Sequence, residues 1–264
     1  MNYTQKDVCR ACDIGRDTLR HYERLGIIEP EVAANGYRYY DDWQINLLWD
    51  CKRYQAMGFS LAQIRDMLHH DSLADVQNLI DKRMEEMERE LAYRRMAVDS
   101  MRLYRTMLKG AAERQGTYVL RSLPETRFVP RREVHDLLMD ERLEDSGRFV
   151  NENQAVCLPP CAYFPQANDE RYYWGFAMFA NYYRTLDGPE EGYVTLPSGP
   201  ALTTCIDAGE RWSFGRALFT GLLEEAERRG TRPRGMFFGL LLTRTYDEAG
   251  GYHRYVEAAL PLEA

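Results

Sequence analysis

Apolar side chains fall mainly at three- and four-residue steps through residues 4–108, and then change to the two-residue alternation of strands. Thr4 suits the cap of a helix running through Val8 and Ala11, and Ile14-Gly15-Arg16-Asp17 makes a tight corner before a second helix anchored by Leu19. Gly26, Ile27 and Ile28 stop that helix. Two short helices with a glycine-containing corner predict a helix-turn-helix. Beyond Pro30, Asn35-Gly36 is a turn signal before Tyr37-Arg38-Tyr39-Tyr40, which predicts a wing. A third helix is predicted over 43–56, with Ile45, Leu48, Trp49 and Lys52 at helical spacing, and Ser60 caps a fourth over 61–69. Trp49 and Phe59 are assigned to the core.

From Leu73 to Lys109 there is no proline or glycine, and Ile80, Met84, Met87, Leu91, Val98, Met101 and Leu108 follow a heptad seam interrupted near Arg94 and Arg95. A helix of that length cannot bury its stripe in one small domain, so pairing with a second copy is expected; the alternative is packing on its own C-terminal domain. Gly110 and Gly116 close it. Strands are then predicted over 117–123, 127–130, 161–165 and 172–183, with an ill-marked helical stretch up to Asn153. A clearer unit follows: strands at 192–196 and 201–207 joined by a Pro197–Pro200 turn, a helix over 214–229, and strands at 236–246 and 252–262. Two strand-helix-strand-strand units make the C-terminal part α+β.

Donor chemistry gathers on the second helix as Arg16, Thr18, Arg20, His21, Tyr22 and Arg24, with Arg38 on the wing, which suits the major groove and the flanking sugar-phosphate backbone. The net charge of −7 is unlike a DNA binder until it is divided: residues 117–264 hold 16 basic and 22 acidic side chains, −6 of that total. Arg16, Arg20, Arg24, Arg38, Lys52 and Arg53 can therefore form one basic face on the head. No apolar run reaches the ~18 residues of a membrane helix, and the N-terminus lacks the order of a signal peptide, so a cytoplasmic protein without a membrane partner is expected. Six cysteines, with Cys9-x-x-Cys12 inside a helix and no second pair at zinc-finger spacing, predict thiols and no metal or cofactor. No nucleophile-base pair or phosphate loop stands out, so no catalytic residue is assigned.

The runs Asp17-Thr18-Leu19-Arg20-His21-Tyr22-Glu23, Leu25-Gly26-Ile27-Ile28-Glu29-Pro30 and Gly36-Tyr37-Arg38-Tyr39-Tyr40, with Arg53-Tyr54 and Gly58-Phe59-Ser60-Leu61-Ala62-Gln63-Ile64, resemble the head of MerR-family transcriptional regulators. His21 departs from the family's usual tyrosine. The resemblance implies a winged helix-turn-helix over 1–72, an antiparallel dimer coiled coil over 73–112 and a promoter-binding homodimer acting indirectly on RNA polymerase. Thr4, Arg16, Thr18, Arg20, His21, Tyr22, Tyr37, Arg38, Tyr39 and Arg53 are the expected DNA-binding residues. In the family, an effector makes the dimer distort an over-long promoter spacer; metal-sensing members place cysteines near the end of the long helix, where this chain has none between Cys51 and Cys157.

Leu196-Pro197-Ser198-Gly199, the helix end at 224–233 and Tyr255-Val256-Glu257-Ala258-Ala259-Leu260-Pro261-Leu262 are similar to the effector-binding domain of multidrug-binding MerR regulators and gyrase-inhibitory-type proteins, covering 117–264. That resemblance implies a cleft for a small amphipathic molecule, cationic in many relatives, held by aromatic faces and a carboxylate. Tyr163, Tyr173, Trp174, Phe176, Trp212, Tyr246 and Tyr255 are the expected ring contacts, and Glu257 the expected carboxylate, because a charge on an otherwise apolar strand needs a partner or a purpose. Gly239 stands where relatives carry a glutamate. The alternatives are a small-molecule hydrolase, or a ligand sequestrator, tethered to DNA by the head.

Overall fold

The structure, a computed structural model, describes residues 2–134, 136–138, 140–209 and 214–263. Packing divides the chain into two compact units, residues 1–91 and 92–264, so one helix runs through the division.

In the first unit a three-stranded sheet, β1 (Tyr3–Thr4), β2 (Glu31–Val32) and β3 (Arg38–Tyr40), in the order β1-β3-β2, accompanies four helices. These are α1 (Gln5–Cys12), α2 (Arg16–Arg24), α3 (Asp42–Ala56) and α4 (Leu61–His69). Thr4, Asp41 and Ser60 each cap a helix and receive a reciprocal bond from the side chain three residues on, satisfying backbone N–H groups that the first turn leaves unpaired. The corner between α1 and α2 differs from expectation: Asp13, at φ 49°, adopts the left-handed conformation, while Gly15 is extended. Val8, Leu19, Ile27, Leu48, Ile64 and Phe59 fill the core. Trp49 does not join it: 53% exposed, it lies on the outer side of α3.

Helix α5 (Leu73–Leu108) is continuous. Its start is fastened to the first unit where Arg83 Nε donates to the Met57 carbonyl at 3.0 Å. The guanidinium lies over Gly58, whose φ of +92° favours glycine; a Cβ built there would come within 2.6 Å of Arg83 Nη2 and displace the arginine. Its later part packs into the second unit through Met96 and Ala97, and the Tyr104 hydroxyl donates to the Leu242 carbonyl at 2.5 Å. The outward stripe stays uncovered, Met84 at 54%, Leu91 at 50% and Met101 at 63% exposure.

The second unit is built on β4 (Val119–Leu123), β5 (Thr126–Glu133), β6 (Asp136–Leu137), β7 (Cys161–Phe164), β8 (Tyr173–Phe179), β9 (Val194–Leu196), β10 (Gly199–Asp207), β11 (Phe237–Tyr246) and β12 (Tyr252–Pro261). Three helices accompany them, α6 (Glu144–Glu152), α7 (Ala180–Thr185) and α8 (Thr220–Arg228), the last preceded by a 3-10 turn at Arg216–Phe219. The sheet order is β4-β10-β12-β11-β7-β8-β5-β6, with β9 on β5. Two strand-helix-strand-strand units, β5-α6-β7-β8 and β10-α8-β11-β12, thus meet at the β7–β11 seam. Strands β9 and β10 do not pair with each other across Pro197; they pair with β5 and β4 respectively. Strand β8 ends at Phe179, where Ala180 and Tyr183, three apart and both buried, switch to helical spacing.

Candidate nucleic-acid interface and effector cavity

Helix α2 buries Leu19 and Tyr22 and turns Arg16, Thr18, Arg20, His21 and Arg24 to solvent. Arg16, Arg20 and Arg24 recur every four residues and form one row of cations. Tyr22 is a correction to the expected set: its hydroxyl donates to Gln55 Oε1 at 2.8 Å from within the core, so it orients the helix and offers no base contact. Thr4 is likewise engaged as the α1 cap, its hydroxyl 2.6 Å from Asp7 Oδ2, and that contact holds the Asp7 carboxyl below its ordinary range. Lys52 leaves the proposed basic face to donate to the Cys12 carbonyl at 2.6 Å, closing the end of α1.

The wing is held by a residue that sequence reading did not single out. Glu23, on α2, accepts the Tyr40 hydroxyl at 2.5 Å and pairs with Arg38 Nε at 3.1 Å. Burial, then that bond to Glu23, push the Tyr40 hydroxyl up. Tyr37 and Arg38 lie exposed at the wing and Tyr39 is half-buried. The turn needs Gly36, at φ +78°, with the Tyr37 N–H donating to Asn35 Oδ1 at 3.0 Å. Arg53 is exposed, 3.2 Å from Asp50 and over the Tyr54 ring.

In the second unit the expected ligand residues are dispersed. Tyr163, Tyr173 and Tyr255 join the cluster of Phe128, Cys161 and Leu240 that packs beneath Met107, Leu108 and Ala111 at the end of α5. Phe176 packs with Val129 and Val150. Tyr246 is exposed on the β11–β12 hairpin, its ring 5.3 Å from that of Tyr252. Trp212 lies outside the described residues. Only Trp174 of the expected set lines the largest cavity of this unit that is recorded among the described residues, about 870 Å³, shared with Tyr172, Phe214 and Tyr252. The physical reason is strand alternation: Tyr172 and Trp174 share one face of the chain, Tyr173 takes the other.

Glu257 is also corrected. It is 6% exposed and lies on the α5 side, between Arg114 Nη1 at 3.1 Å and Arg121 Nη1 at 3.3 Å, with neither arginine lining the cavity. Its Oε2 meets Arg114 off the hydrogen-bonding angle, so that contact is ionic rather than hydrogen-bonded. Glu257 therefore ties the segment after α5 to β12. Gly239 points the other way, where an added Cβ would meet Val256 Cγ1 at 2.9 Å and Phe219 Cζ at 3.0 Å. Phe219 thus occupies the room a glutamate there would need.

The cavity rim carries Arg132, Arg244 and Arg254. On the far face of β12, His253 sits between Asp207 at 2.6 Å and Asp247 at 3.2 Å, and these carboxylates raise its pKa. Burial pushes the Cys157 and Cys161 thiols up to about 12, which suits inert thiols rather than metal ligands. Among the described residues no three His, Cys, Asp or Glu side chains gather as a metal site requires, and no helix is long and apolar enough to cross a membrane.

Residues 3–71 match the family model described as MerR HTH family regulatory protein, and residues 51–100 that described as MerR, DNA binding. A mercuric resistance operon regulatory protein of Bacillus cereus is 38% identical over 69 residues, 26% of this chain and 52% of that protein. A multidrug-efflux transporter 2 regulator of Bacillus subtilis is 20% identical over 219 residues, 75% of this chain and 74% of that protein. The N-terminal fragment of the multidrug transporter activator of Bacillus subtilis is 26% identical, covers 40% of this chain and 98% of that one, and gives a TM-score of 0.35. The chain spans about half the length of the curated relatives whose heads it matches first. These relatives are regulators of transcription or efflux.

Proposed function

We propose that this chain, a member of the MerR family through residues 3–100, is a ligand-responsive transcription regulator that binds double-stranded promoter DNA as a homodimer. The observation that carries the reading is the exposed row Arg16, Arg20 and Arg24 beside a wing that Glu23 fixes to the same helix. Such a row enters the major groove while Tyr37 and Arg38 take the flanking backbone. In this reading the functional divisions are the head at 1–72, the dimer helix at 73–112 and the effector domain at 117–264. The uncovered stripe of α5 is the surface a second copy covers, giving two heads for a pseudo-palindromic site, with RNA polymerase engaged only through the promoter.

The small amphipathic effector enters the cavity lined by Tyr172, Trp174 and Phe214. Leu241 forms part of its wall, and the next residue, Leu242, accepts the Tyr104 hydroxyl of α5, so a shift of β11 reaches the dimer helix directly. A DNA partner implies a cytoplasmic site of action, and no enzymatic step is assigned.

The test is fluorescence anisotropy on duplexes selected from a random pool, across a salt series. Affinity falls steeply with salt, and Arg20→Ala loses about tenfold or more. Binding indifferent to both removes the regulator reading.

A further inference from the structure

We infer that the effector cavity takes an aromatic anion, a planar apolar body bearing a carboxylate or sulfonate, rather than a cation. This inference rests on the sensing role proposed above and names the chemical class of what is sensed.

The walls and the rim divide the work. Tyr172, Trp174 and Phe214 pack together with tilted rings, Phe214 4.8 Å from Trp174 at 43° and 5.5 Å from Tyr172 at 58°, and offer an apolar aromatic wall. The volume of about 870 Å³ falls within that of drug-sized ligand sites. The charged groups on the rim are three guanidiniums and no carboxylate among the described residues. Arg244 and Arg254 are direct cross-strand partners on β11 and β12, an arrangement that like charges disfavour. Arg132 faces them from β5, opposite Trp174 in the β8 ladder.

Neither Arg132 nor Arg244 has a side-chain hydrogen bond or ion pair among the described residues, and Arg132 Nε is buried. Arg254 donates to the Ala208 and Gly209 carbonyls, which places its guanidinium at the rim. Carboxylates near in sequence are committed elsewhere. Asp207 and Asp247 flank His253, one residue before Arg254 and therefore on the other face of β12. Glu133, next to Arg132, is 3.5 Å from Arg171. A bound anion gives the Arg132 fork an acceptor and Arg244 a counter-charge, and the planar guanidinium matches a carboxylate in two bonds. The absence of a glutamate at Gly239 and the two arginines on Glu257 agree: neither position offers a negative charge to a ligand.

The test uses the full-length protein and three probes with one fluorescent body, pyrenebutyrate, pyrenebutanol and pyrenebutylamine, titrated by pyrene emission with and without operator duplex. Pyrenebutyrate binds about tenfold tighter than the alcohol, as one charge-assisted pair supplies, and the amine binds weakest. Arg132→Gln and Arg244→Gln each bring the ratio of butyrate to alcohol affinity close to one. Arg244→Glu shifts preference toward the amine, a gain that a misfolded variant cannot produce. Tightest binding by the amine, or a butyrate preference that survives both glutamine variants, overturns the inference. If the alcohol or the amine alters operator affinity and the butyrate does not, sensing stands and the anion fails; if none of the three binds, the cavity is not the sensor.

Discussion

Glu257→Gln separates two roles for the same carboxylate. The substitution keeps the volume and removes the charge from a side chain 6% exposed between Arg114 and Arg121. Breaking a fully buried ion pair by removing one partner costs roughly 3–5 kcal/mol, because the other charge is left desolvated. Here the arginine side chains retain 24% and 42% exposure, so water recovers part of that loss and the expected cost is about 2–3 kcal/mol. For a unit of the size of residues 92–264, each kcal/mol is about 2–4 °C, giving a fall of roughly 4–12 °C in the melting transition of that unit. Differential scanning calorimetry of the full chain reads it, and pyrenebutyrate affinity read beside it stays at the wild-type value. The triple variant that combines Glu257→Leu with Arg114→Met and Arg121→Met recovers much of the loss, since no charge is then left unpaired. A variant that melts with the wild type yet no longer responds to its ligand would refute the reasoning and return Glu257 to the role of counter-ion.

His253 makes the β11–β12 end pH-dependent. Asp207 first, then Asp247, raise its folded pKa above the ordinary 6.5, so its contribution is complete below 6.5 and is lost as pH rises through the folded value. Carbon-bound imidazole protons in an NMR titration show a midpoint above 6.5, and His253→Gln removes the alkaline weakening of amide protection in β12; a midpoint at or below 6.5 contradicts the pairing. Leu91→Glu places a charge in the uncovered stripe of α5 and should turn the proposed homodimer into a monomer by analytical ultracentrifugation. An unchanged sedimentation coefficient would assign dimerisation to another surface.

What the sequence determined by itself was whatever local spacing encodes. The caps at Thr4 and Ser60, the Asn35-Gly36 wing, the proline-free run that becomes α5 and the strand-helix-strand-strand order are all written in neighbours a few residues apart. The cation row on α2 was legible for the same reason, since every fourth residue of a helix shares a face. What alternation cannot supply is which side of a strand meets the core. Tyr22 and Trp49 exchanged the roles their positions suggested, and Tyr173 and Trp174, adjacent in sequence, went to opposite faces. Glu257 finds its arginines 136 and 143 residues away, and Arg132 converges with Arg244 and Arg254 only once the two α+β units join at β7 and β11. Pairings at such separation leave no periodic trace, so the charge presented to a ligand was decided by the joining of the two units in one sheet.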